Sequence, residues 1–305
     1  MTKVVVICGP TASGKTDLSI ELAKKIDGQI VSADSMQIYD ELEIGTAKVT
    51  KQEMQGIKHY LVGTVKPTER YSVSQYKKEA TNAIEQIVEE GKIPIIVGGT
   101  GLYINSLIYD IEYPEIETDL TYRTELEQYV EEYGLDKLYQ KACEIDEEAM
   151  QKISINDKKR IMRVLEIYEQ TGKTKTQIEI ESRKNMPKYE YKTFVMDIQR
   201  DILYERINKR VDNMIEKGLE EEVRNLYSKY NKELPTALQA IGYKEMIEYI
   251  EGRINCQEAI ENIKMESRRY AKRQLTWFKK IENAIWLDGL EEVQNNIQII
   301  LEEIK

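Results

Sequence analysis

The segment Gly9–Thr16 has the residue types and the spacing needed to hold a phosphate group. It follows the pattern G-x-x-x-x-G-K-[ST] in full. In such a loop, backbone N–H groups and a helix N-terminus converge on phosphate oxygens, the lysine adds positive charge, and the last hydroxyl is suited to Mg²⁺. We therefore predict a phosphorylated ligand. The predicted phosphate-binding residues are Gly9, Pro10, Thr11, Ala12, Ser13, Gly14, Lys15 and Thr16.

A carboxylate follows the second predicted strand, in the segment Ser32-Ala33-Asp34-Ser35-Met36-Gln37. Ligands of an open parallel sheet bind beyond the carboxyl ends of its strands, which places Asp34 beside the phosphate site. There it could accept a proton, or hold Mg²⁺ through water together with Thr16. A cap on a turn or helix would use the same residue type, and the spacing leaves both roles open.

A glycine-rich turn, Gly98-Gly99-Thr100-Gly101, follows the third strong strand pattern. Three glycines in four residues allow a ligand to approach the backbone closely. A plain strand-to-helix turn would use one or two of them. The third glycine favours a functional turn.

The segment 264–280 concentrates positive charge in a chain of net charge -10. Seven cations are interleaved with three aromatic rings and one acid, Glu266. Cations and flat rings together bind phosphate backbones and stack unpaired bases, although a solvated helix face gives a similar pattern. A second basic group, Lys158, Lys159, Arg160 and Arg163, favours RNA binding. The residues of the first group are Lys264, Arg268, Arg269, Tyr270, Lys272, Arg273, Trp277, Phe278, Lys279 and Lys280.

Arg206 and Arg210 are four residues apart on a predicted helix. They could reach a phosphate or pair with the nearby acids Asp201 and Glu205. The sequence leaves both interpretations open.

Short β-branched runs alternate with helical patterns, which predicts an α/β fold of the P-loop NTPase-like kind: a parallel sheet with helices on both faces. Between residues 113 and 191 the strand pattern disappears and helix-forming sequence replaces it. We expect a P-loop core of 1–112 and 192–305 with an all-helical insertion of 113–191. The predicted strands are Lys3–Cys8, Gln29–Ala33, Ile93–Val97, Thr193–Ile198 and Ala284–Leu287, with an edge strand over His59–Val65.

Composition narrows the possible functions further. The only histidine is His59, so histidine-based metal or acid–base chemistry is nearly excluded. Cys8, Cys143 and Cys256 are scattered and odd in number, which indicates neither a disulfide framework nor a zinc site. The longest apolar runs are too short to span a membrane and the first strand begins at Lys3, so we expect a cytoplasmic protein without a signal peptide or membrane partner.

The order and spacing of eight motifs closely resemble those of the tRNA dimethylallyltransferases, also called tRNA isopentenyltransferases. The resemblance runs from Lys3 to the last predicted strand. The motifs are Gly9–Thr16, Asp34–Tyr39, Ile44–Lys48, Tyr71–Val73, Gly98–Tyr103, Asn156-Asp157 with Arg160 and Arg163, Ala240–Tyr243 and Arg273–Phe278.

The resemblance implies transfer of a dimethylallyl group from its diphosphate to the N6 amine of the adenosine 3′-adjacent to the tRNA anticodon. The implied catalytic residues are Asp34 as general base, Thr100 beside the amine, Thr16 near Mg²⁺, and Arg206, our candidate for the diphosphate. The implied partner is the tRNA anticodon stem-loop, and we expect the protein to be a monomer. The implied tRNA-contacting residues are Asp34, Ser35, Met36, Gln37, Thr100, Arg123, Lys159, Arg160, Arg163, Ile241, Gly242, Tyr243, Lys244, Arg268, Arg269, Arg273 and Trp277.

Three alternatives stay open at this point. A small-molecule kinase is favoured by the phosphate loop alone, and an adenylate isopentenyltransferase would use the same donor with a free nucleotide. Both leave the basic aromatic segment unexplained. An RNA-binding regulator without catalysis leaves Asp34 and the complete loop without a purpose.

Overall fold

The computed structural model describes residues 2–113, 120–182, 186–230 and 234–305. The chain divides into two compact units. One contains residues 1–108 and 188–305, and the other contains residues 109–187. The sequence predicted an insertion of 113–191, so the two descriptions differ by four residues at each end.

The larger unit is built on a six-stranded parallel sheet with the strand order β3-β2-β4-β1-β5-β6. The predicted α/β fold is confirmed. Because these strands run parallel, β1, β2 and β4 end at the same edge of the sheet. The strands are β1 Lys3–Cys8, β2 Gly28–Ser32, β3 His59–Tyr60, β4 Ile93–Gly98, β5 Glu190–Asp197 and β6 Ile285–Asp288.

The edge strand β3 is shorter than predicted. The expected strand ran from His59 to Val65, but the structure pairs only His59 and Tyr60 with β2. Leu61 and Gly63 have φ angles of 60° and 62°. These angles lie outside the extended region, so the chain leaves the sheet at this point.

Helices surround the sheet and build the smaller unit. Their bounds are α1 Lys15–Ile26, α2 Lys51–Met54, α3 Val73–Glu89, α4 Gly101–Ile108, α5 Leu120–Tyr133, α6 Leu135–Ile145, α7 Glu147–Met150, α8 Lys158–Thr171, α9 Lys175–Ser182, α10 Arg200–Glu216, α11 Leu219–Lys229, α12 Tyr243–Ile250, α13 Cys256–Phe278 and α14 Val293–Ile304, with a 3₁₀ turn at Ala237–Gln239.

The sheet is covered on both faces, which explains the continuous apolar run of β1. Alternate residues of a strand point to opposite faces, and Val4–Cys8 are all fully buried. Val5 and Ile7 belong to one core cluster with residues of α1 and α14. Val4 and Val6 point to the opposite face and are also buried. Helix α3, in which Ile84 and Ile87 are buried, contacts β2 and β4.

The smaller unit has a core of its own, formed by α5, α6, α7 and α8. Helix α8 begins at an N-cap, Asp157, whose side chain accepts a hydrogen bond from the N–H of Arg160. It ends at Gly172, which has the left-handed conformation typical of a helix C-terminus. Among the described residues of the whole chain, no helix is both long enough and apolar enough to cross a membrane.

Candidate active site

The phosphate loop connects β1 to α1 and leaves the first turn of α1 uncapped. Gly14 precedes the helix in a left-handed conformation, and as a glycine it has no side chain to cap the first N–H groups. Uncapped N–H groups at a helix N-terminus attract an anion. The ammonium of Lys15 donates hydrogen bonds to the Pro10 carbonyl oxygen at 2.6 Å and to Ser13 Oγ at 3.3 Å, inside the loop.

The charge state of Lys15 depends on its surroundings. Burial of the ammonium, with a further contribution from the positive charge of Arg210, lowers the pKa of Lys15 to about 8. The negative charge of Asp34 acts in the opposite direction. Lys15 is therefore charged at neutral pH, but it lies close to its titration range.

Asp34 has one carboxylate oxygen in a turn and lines a cavity. Its Oδ1 accepts hydrogen bonds from the N–H groups of Met36 at 2.9 Å and Gln37 at 3.2 Å. Within the part of the chain that the structure describes, Oδ2 accepts no hydrogen bond. The capping role that the sequence left open is therefore present, and it leaves the second oxygen available.

The glycine-rich turn after β4 lies against the Asp34 segment. Thr100 Oγ1 accepts a hydrogen bond from the N–H of Ser35 at 3.0 Å and contacts Ser35 Oγ at 3.3 Å. The Thr100 N–H donates to the Ala33 carbonyl oxygen at 3.0 Å. These bonds fix Thr100 beside Asp34.

Helix α13 contacts both the phosphate loop and the glycine-rich turn through Gln274. The Gln274 side chain is 4% exposed. Its Oε1 accepts a hydrogen bond from the N–H of Thr11 at 2.9 Å, and its Nε2 donates to the Gly99 carbonyl oxygen at 2.9 Å. A Cβ at position 99 would lie 2.2 Å from Nε2, so this contact requires glycine there.

Tyr270 lies one turn before Gln274 on α13 and faces the same cavity. Burial raises the pKa of Tyr270 to about 12, and the negative charge of Asp34 adds to this effect. The hydroxyl therefore stays protonated at neutral pH. It can donate a hydrogen bond in the region between Asp34 and Thr100.

The basic residues of α13 are not equivalent. Arg268 Nη1 donates to Asn208 Oδ1 at 2.6 Å, and Arg269 Nη1 lies 2.6 Å from Glu266 Oε1. Arg273 lines the cavity. Trp277 is 41% exposed and lies against Gly101. Of these cations, Arg273 is the one in direct contact with the site.

The structure distinguishes Arg210 from Arg206. Arg210 lines the cavity, and its Nη2 donates to the Thr46 carbonyl oxygen at 3.1 Å. Burial lowers the pKa of Arg210 below its ordinary value, and the negative charge of Asp34 acts in the opposite direction. Arg206 is exposed, does not line the cavity, and donates to the Gly289 carbonyl oxygen at 3.4 Å.

One cavity of about 370 Å³ is lined by Lys15, Asp34, Arg210, Tyr270, Arg273 and Gln274. Thr100 and Arg206 are not among its lining residues. Its charged lining residues in the described chain are Lys15, Arg210 and Arg273 against Asp34, an excess of positive charge suited to a polyanion. The other lining residues include Thr11, Thr16, Ser35, Met36, Gln37, Gly45, Thr46, Gly98, Gly99, Ile207, Val211, Met214, Gln239, Ala240, Ile241, Ile263, Ser267, Tyr270 and Gln274.

The segment 241–244 contributes unevenly to this site. Ile241 lines the cavity, and Lys244 is exposed beside Glu245. Gly242 and Tyr243 are buried. Burial limits what these last two residues can contact directly.

In the smaller unit, the basic residues of α8 lie on its surface. Lys159, Arg160 and Arg163 are exposed. Arg163 Nη1 lies 3.3 Å from Glu166 Oε2, and Arg123 Nε lies 3.7 Å from Glu166 Oε1. Glu166 is 3% exposed, so Arg123 and Arg163 also compensate a buried carboxylate.

The sequence analysis gave no individual role to Gln274 or Glu222 and counted Tyr270 only among the aromatic rings of the basic segment. It left Arg210 ambiguous. The spacing of residues in α10 could have indicated that Arg210 faces the interior. Arg210 lies three residues after Ile207 and four before Met214, so it shares the apolar face of α10. Gln274 offered no local signal, because its partners are 263 and 175 residues away.

A family model described as IPP transferase matches residues 37–281. The chain belongs to the IPP transferase family. Proteins named tRNA dimethylallyltransferase from Acetivibrio thermocellus and Caldanaerobacter subterraneus are each 47% identical to it. The first alignment covers 99% of this chain and 98% of the relative, and the second covers 97% and 96%. The family resemblance of the motifs is thereby confirmed.

Two solved structures have folds similar to that of this chain over its whole length. A full-length tRNA isopentenylpyrophosphate transferase from Bacillus halodurans is 41% identical, with a TM-score of 0.75 and coverage of 100% of this chain and 96% of that one. A eukaryotic dimethylallyltransferase described as acting on tRNA is 33% identical, with a TM-score of 0.85 and coverage of 100% and 80%.

Proposed function

We propose that this protein transfers a dimethylallyl group from dimethylallyl diphosphate to the N6 amine of the adenosine 3′-adjacent to the anticodon of tRNA, releasing diphosphate. The observation that carries the proposal is the cavity itself, which joins a complete phosphate loop to a carboxylate with an available oxygen. Relatives covering almost the whole chain are named for this activity. The proposed role of each residue follows from its position.

The diphosphate lies in the phosphate loop. Backbone N–H groups of the loop and Lys15 bind its oxygens before the reaction begins. When the bond from the allylic carbon to the diphosphate oxygen breaks, both bonding electrons leave with the diphosphate. Fixed positive groups stabilise this developing charge without having to reorganise. We assign that task to Arg210 in place of Arg206, because Arg210 lines the cavity.

A divalent cation, which we propose to be Mg²⁺, fits the donor set on one side of this cavity. Among the described residues there is no cluster of three or more acidic, histidine or cysteine side chains that could hold a metal. Mg²⁺ commonly keeps several waters and takes its other ligands from substrate phosphates and one or two carboxylates. Thr16, and Asp34 through water, would hold it. When bound, it neutralises charge on the departing diphosphate.

The N6 amine is the nucleophile, and Asp34 takes its proton. As the nitrogen lone pair forms the new C–N bond, the amine becomes acidic and requires a base within hydrogen-bonding distance. We assign Asp34 Oδ2 to this role, because Oδ1 is held by the turn. Thr100 lies beside Asp34, where its side chain would orient the same amine.

The adenosine must leave the stacked anticodon loop to enter the cavity. Enzymes that modify a base pay an unstacking cost of about a few kcal/mol for this step. We propose that Arg273 and Trp277 of α13 hold the RNA at the cavity, with Arg268 and Arg269 farther along the helix. Lys159, Arg160, Arg163 and Arg123 of the smaller unit remain proposed contacts to the anticodon stem-loop. We propose that the protein acts as a monomer.

The test compares donors and acceptors side by side. The protein is incubated with Mg²⁺ and radiolabelled dimethylallyl diphosphate, with either an unmodified anticodon stem-loop or AMP as the acceptor. A parallel reaction contains γ-labelled ATP and nucleoside monophosphates. We expect label in the RNA alone. Label in AMP would indicate an adenylate isopentenyltransferase, and phosphate transfer from ATP would indicate a kinase.

A further inference from the structure

The carboxylate of Glu222 lies outside the proposed catalytic groups, yet it accepts hydrogen bonds from three successive backbone N–H groups. Glu222 Oε2 accepts from Glu43 at 3.1 Å and from Ile44 at 2.7 Å. Glu222 Oε1 accepts from Gly45 at 3.1 Å. Glu222 belongs to α11, and its partners precede it by 177 to 179 residues. One side chain therefore fixes the path of the segment 43–45.

Tyr243 completes this arrangement. Its hydroxyl donates a hydrogen bond to Glu222 Oε1 at 2.6 Å, and its side chain is 1% exposed. Burial raises the pKa of Tyr243 well above its usual range, and the negative charge of Glu222 adds to this effect. The hydroxyl therefore remains a hydrogen-bond donor. A Cβ at Gly45 would lie 2.5 Å from the Tyr243 ring, so the segment can lie here only with glycine at that position.

The next residue in the chain, Thr46, holds the arginine that faces the cavity. Its carbonyl oxygen accepts hydrogen bonds from Arg210 Nη2 at 3.1 Å and from Gln37 Nε2 at 3.3 Å. The Thr46 hydroxyl donates to the Leu42 carbonyl oxygen at 2.6 Å, which closes the turn on itself. The direction of the Thr46 carbonyl thus depends on the segment that Glu222 fixes.

We infer that Glu222 is a positioning residue for Arg210, acting through the segment 43–46; this inference rests on the proposed function. A charged group stabilises a departing diphosphate fully only when it is held in place before the charge develops. The Thr46 carbonyl supplies that fixed point for the guanidinium. Glu222 supplies the fixed point for the carbonyl.

A double-mutant cycle tests the inference. In Glu222→Gln an NH₂ group replaces one acceptor oxygen, so at least one backbone N–H of the segment loses its bond. We expect the single-turnover rate of prenyl transfer at saturating substrates to fall about 10-fold or more, with the KM for the stem-loop nearly unchanged. The matched control is Glu221→Gln, the exposed neighbour on the same helix, which should retain the wild-type rate.

The distinguishing measurement is the same substitution in an Arg210→Ala background. If Glu222 acts through Arg210, Glu222→Gln causes little further loss there, because coupled residues do not act additively. A full and additive loss in that background would overturn the inference and leave Glu222 as a purely structural residue. A wild-type rate in Glu222→Gln would overturn it as well.

A second readout does not require turnover. Titration of each variant with inorganic diphosphate, together with its thermal unfolding midpoint, separates positioning from folding. We expect Glu222→Gln to weaken diphosphate binding, by no more than Arg210→Ala does, and the double variant to bind diphosphate as weakly as Arg210→Ala alone. Unchanged diphosphate binding in Glu222→Gln would contradict the inference. A wild-type protein that transfers no prenyl group to RNA would instead contradict the proposed function.

Discussion

The backbone N–H of Thr11 donates a hydrogen bond of 2.9 Å to Oε1 of Gln274. Thr11 belongs to the phosphate loop, and Gln274 belongs to the basic helix α13. The helix that we propose to hold RNA is therefore bonded to the loop that we propose to hold the diphosphate. The two substrates of the proposed reaction would meet at this junction.

Replacement of Gln274 by Leu should destabilise the larger unit. It leaves the N–H of Thr11 and the carbonyl oxygen of Gly99 without their partner, and an unsatisfied buried polar group costs about 1–3 kcal/mol. Urea unfolding should show a fall of that size in the free energy of unfolding. Gln298→Leu on α14, whose side chain is exposed, is the control and should change stability little.

Asp34→Asn should separate the two roles of this residue. Asparagine keeps an oxygen for the N–H groups of Met36 and Gln37, but it cannot accept the amine proton. We expect the single-turnover rate to fall about 10²-fold or more, while the Kd for the stem-loop stays close to the wild-type value. Asp40→Asn, which changes an exposed carboxylate, is the control. Near-normal turnover in Asp34→Asn would remove Asp34 from the role of general base.

The affinity for the donor should decrease as the pH rises through about 8. Lys15 is protonated below its pKa of about 8 and neutral above it, so the attraction between the ammonium and the diphosphate is lost on the alkaline side. Binding of dimethylallyl diphosphate should be measured across this range in the wild type and in Lys15→Arg. An arginine stays charged throughout, so that variant should show a flatter profile. Identical profiles would exclude Lys15 as the titrating group.

Arg210 and Arg206 should differ sharply although they lie four residues apart. Arg210→Ala removes a positive charge from the cavity and should lower the rate of transfer about 10²-fold or more. Arg206→Ala removes an exposed side chain that does not line the cavity and should leave the rate within about twofold of wild type. An equal loss in both variants would return Arg206 to consideration.

Arg273→Ala should weaken RNA binding and reduce its salt dependence. Each phosphate neutralised by a protein cation contributes to the slope of log K against log salt, so loss of one contact lowers the slope by about 1. Arg253→Ala, on a surface ion pair with Glu251, should leave the slope unchanged. Donor affinity serves as the internal control, and an unaltered slope in Arg273→Ala would argue against RNA contact at this residue.

Much of the fold was predictable, because its signals are local. Strands β1 and β4, the phosphate loop and the ends of α8 each depend on residues close together in the sequence. The edge strand β3 was wrong in length, since the left-handed conformation of Leu61 is not favoured by its residue type. A local pattern carries little information about such a position.

The candidate site was less predictable, because its parts meet only in the folded chain. Asp34 could be placed near the phosphate loop because it follows the end of a strand. The different hydrogen bonding of its two oxygens depends on the fold of the turn at Met36 and Gln37. Glu222, like Gln274, could not be recognised from the sequence, because the backbone groups that it binds are distant along the chain. A polar residue whose backbone partners are more than 170 residues away leaves no pattern in its own neighbourhood.

The most direct test of the central claim is to map the product on the RNA. The protein is incubated with Mg²⁺, labelled dimethylallyl diphosphate and an anticodon stem-loop with adenosine 3′-adjacent to the anticodon, and the RNA is digested to nucleosides. A matched stem-loop carries purine riboside, which lacks the N6 amine, at the same position. We predict one labelled nucleoside, N6-dimethylallyl adenosine, from the first RNA and none from the second. Label in both RNAs, or in neither, would contradict the account.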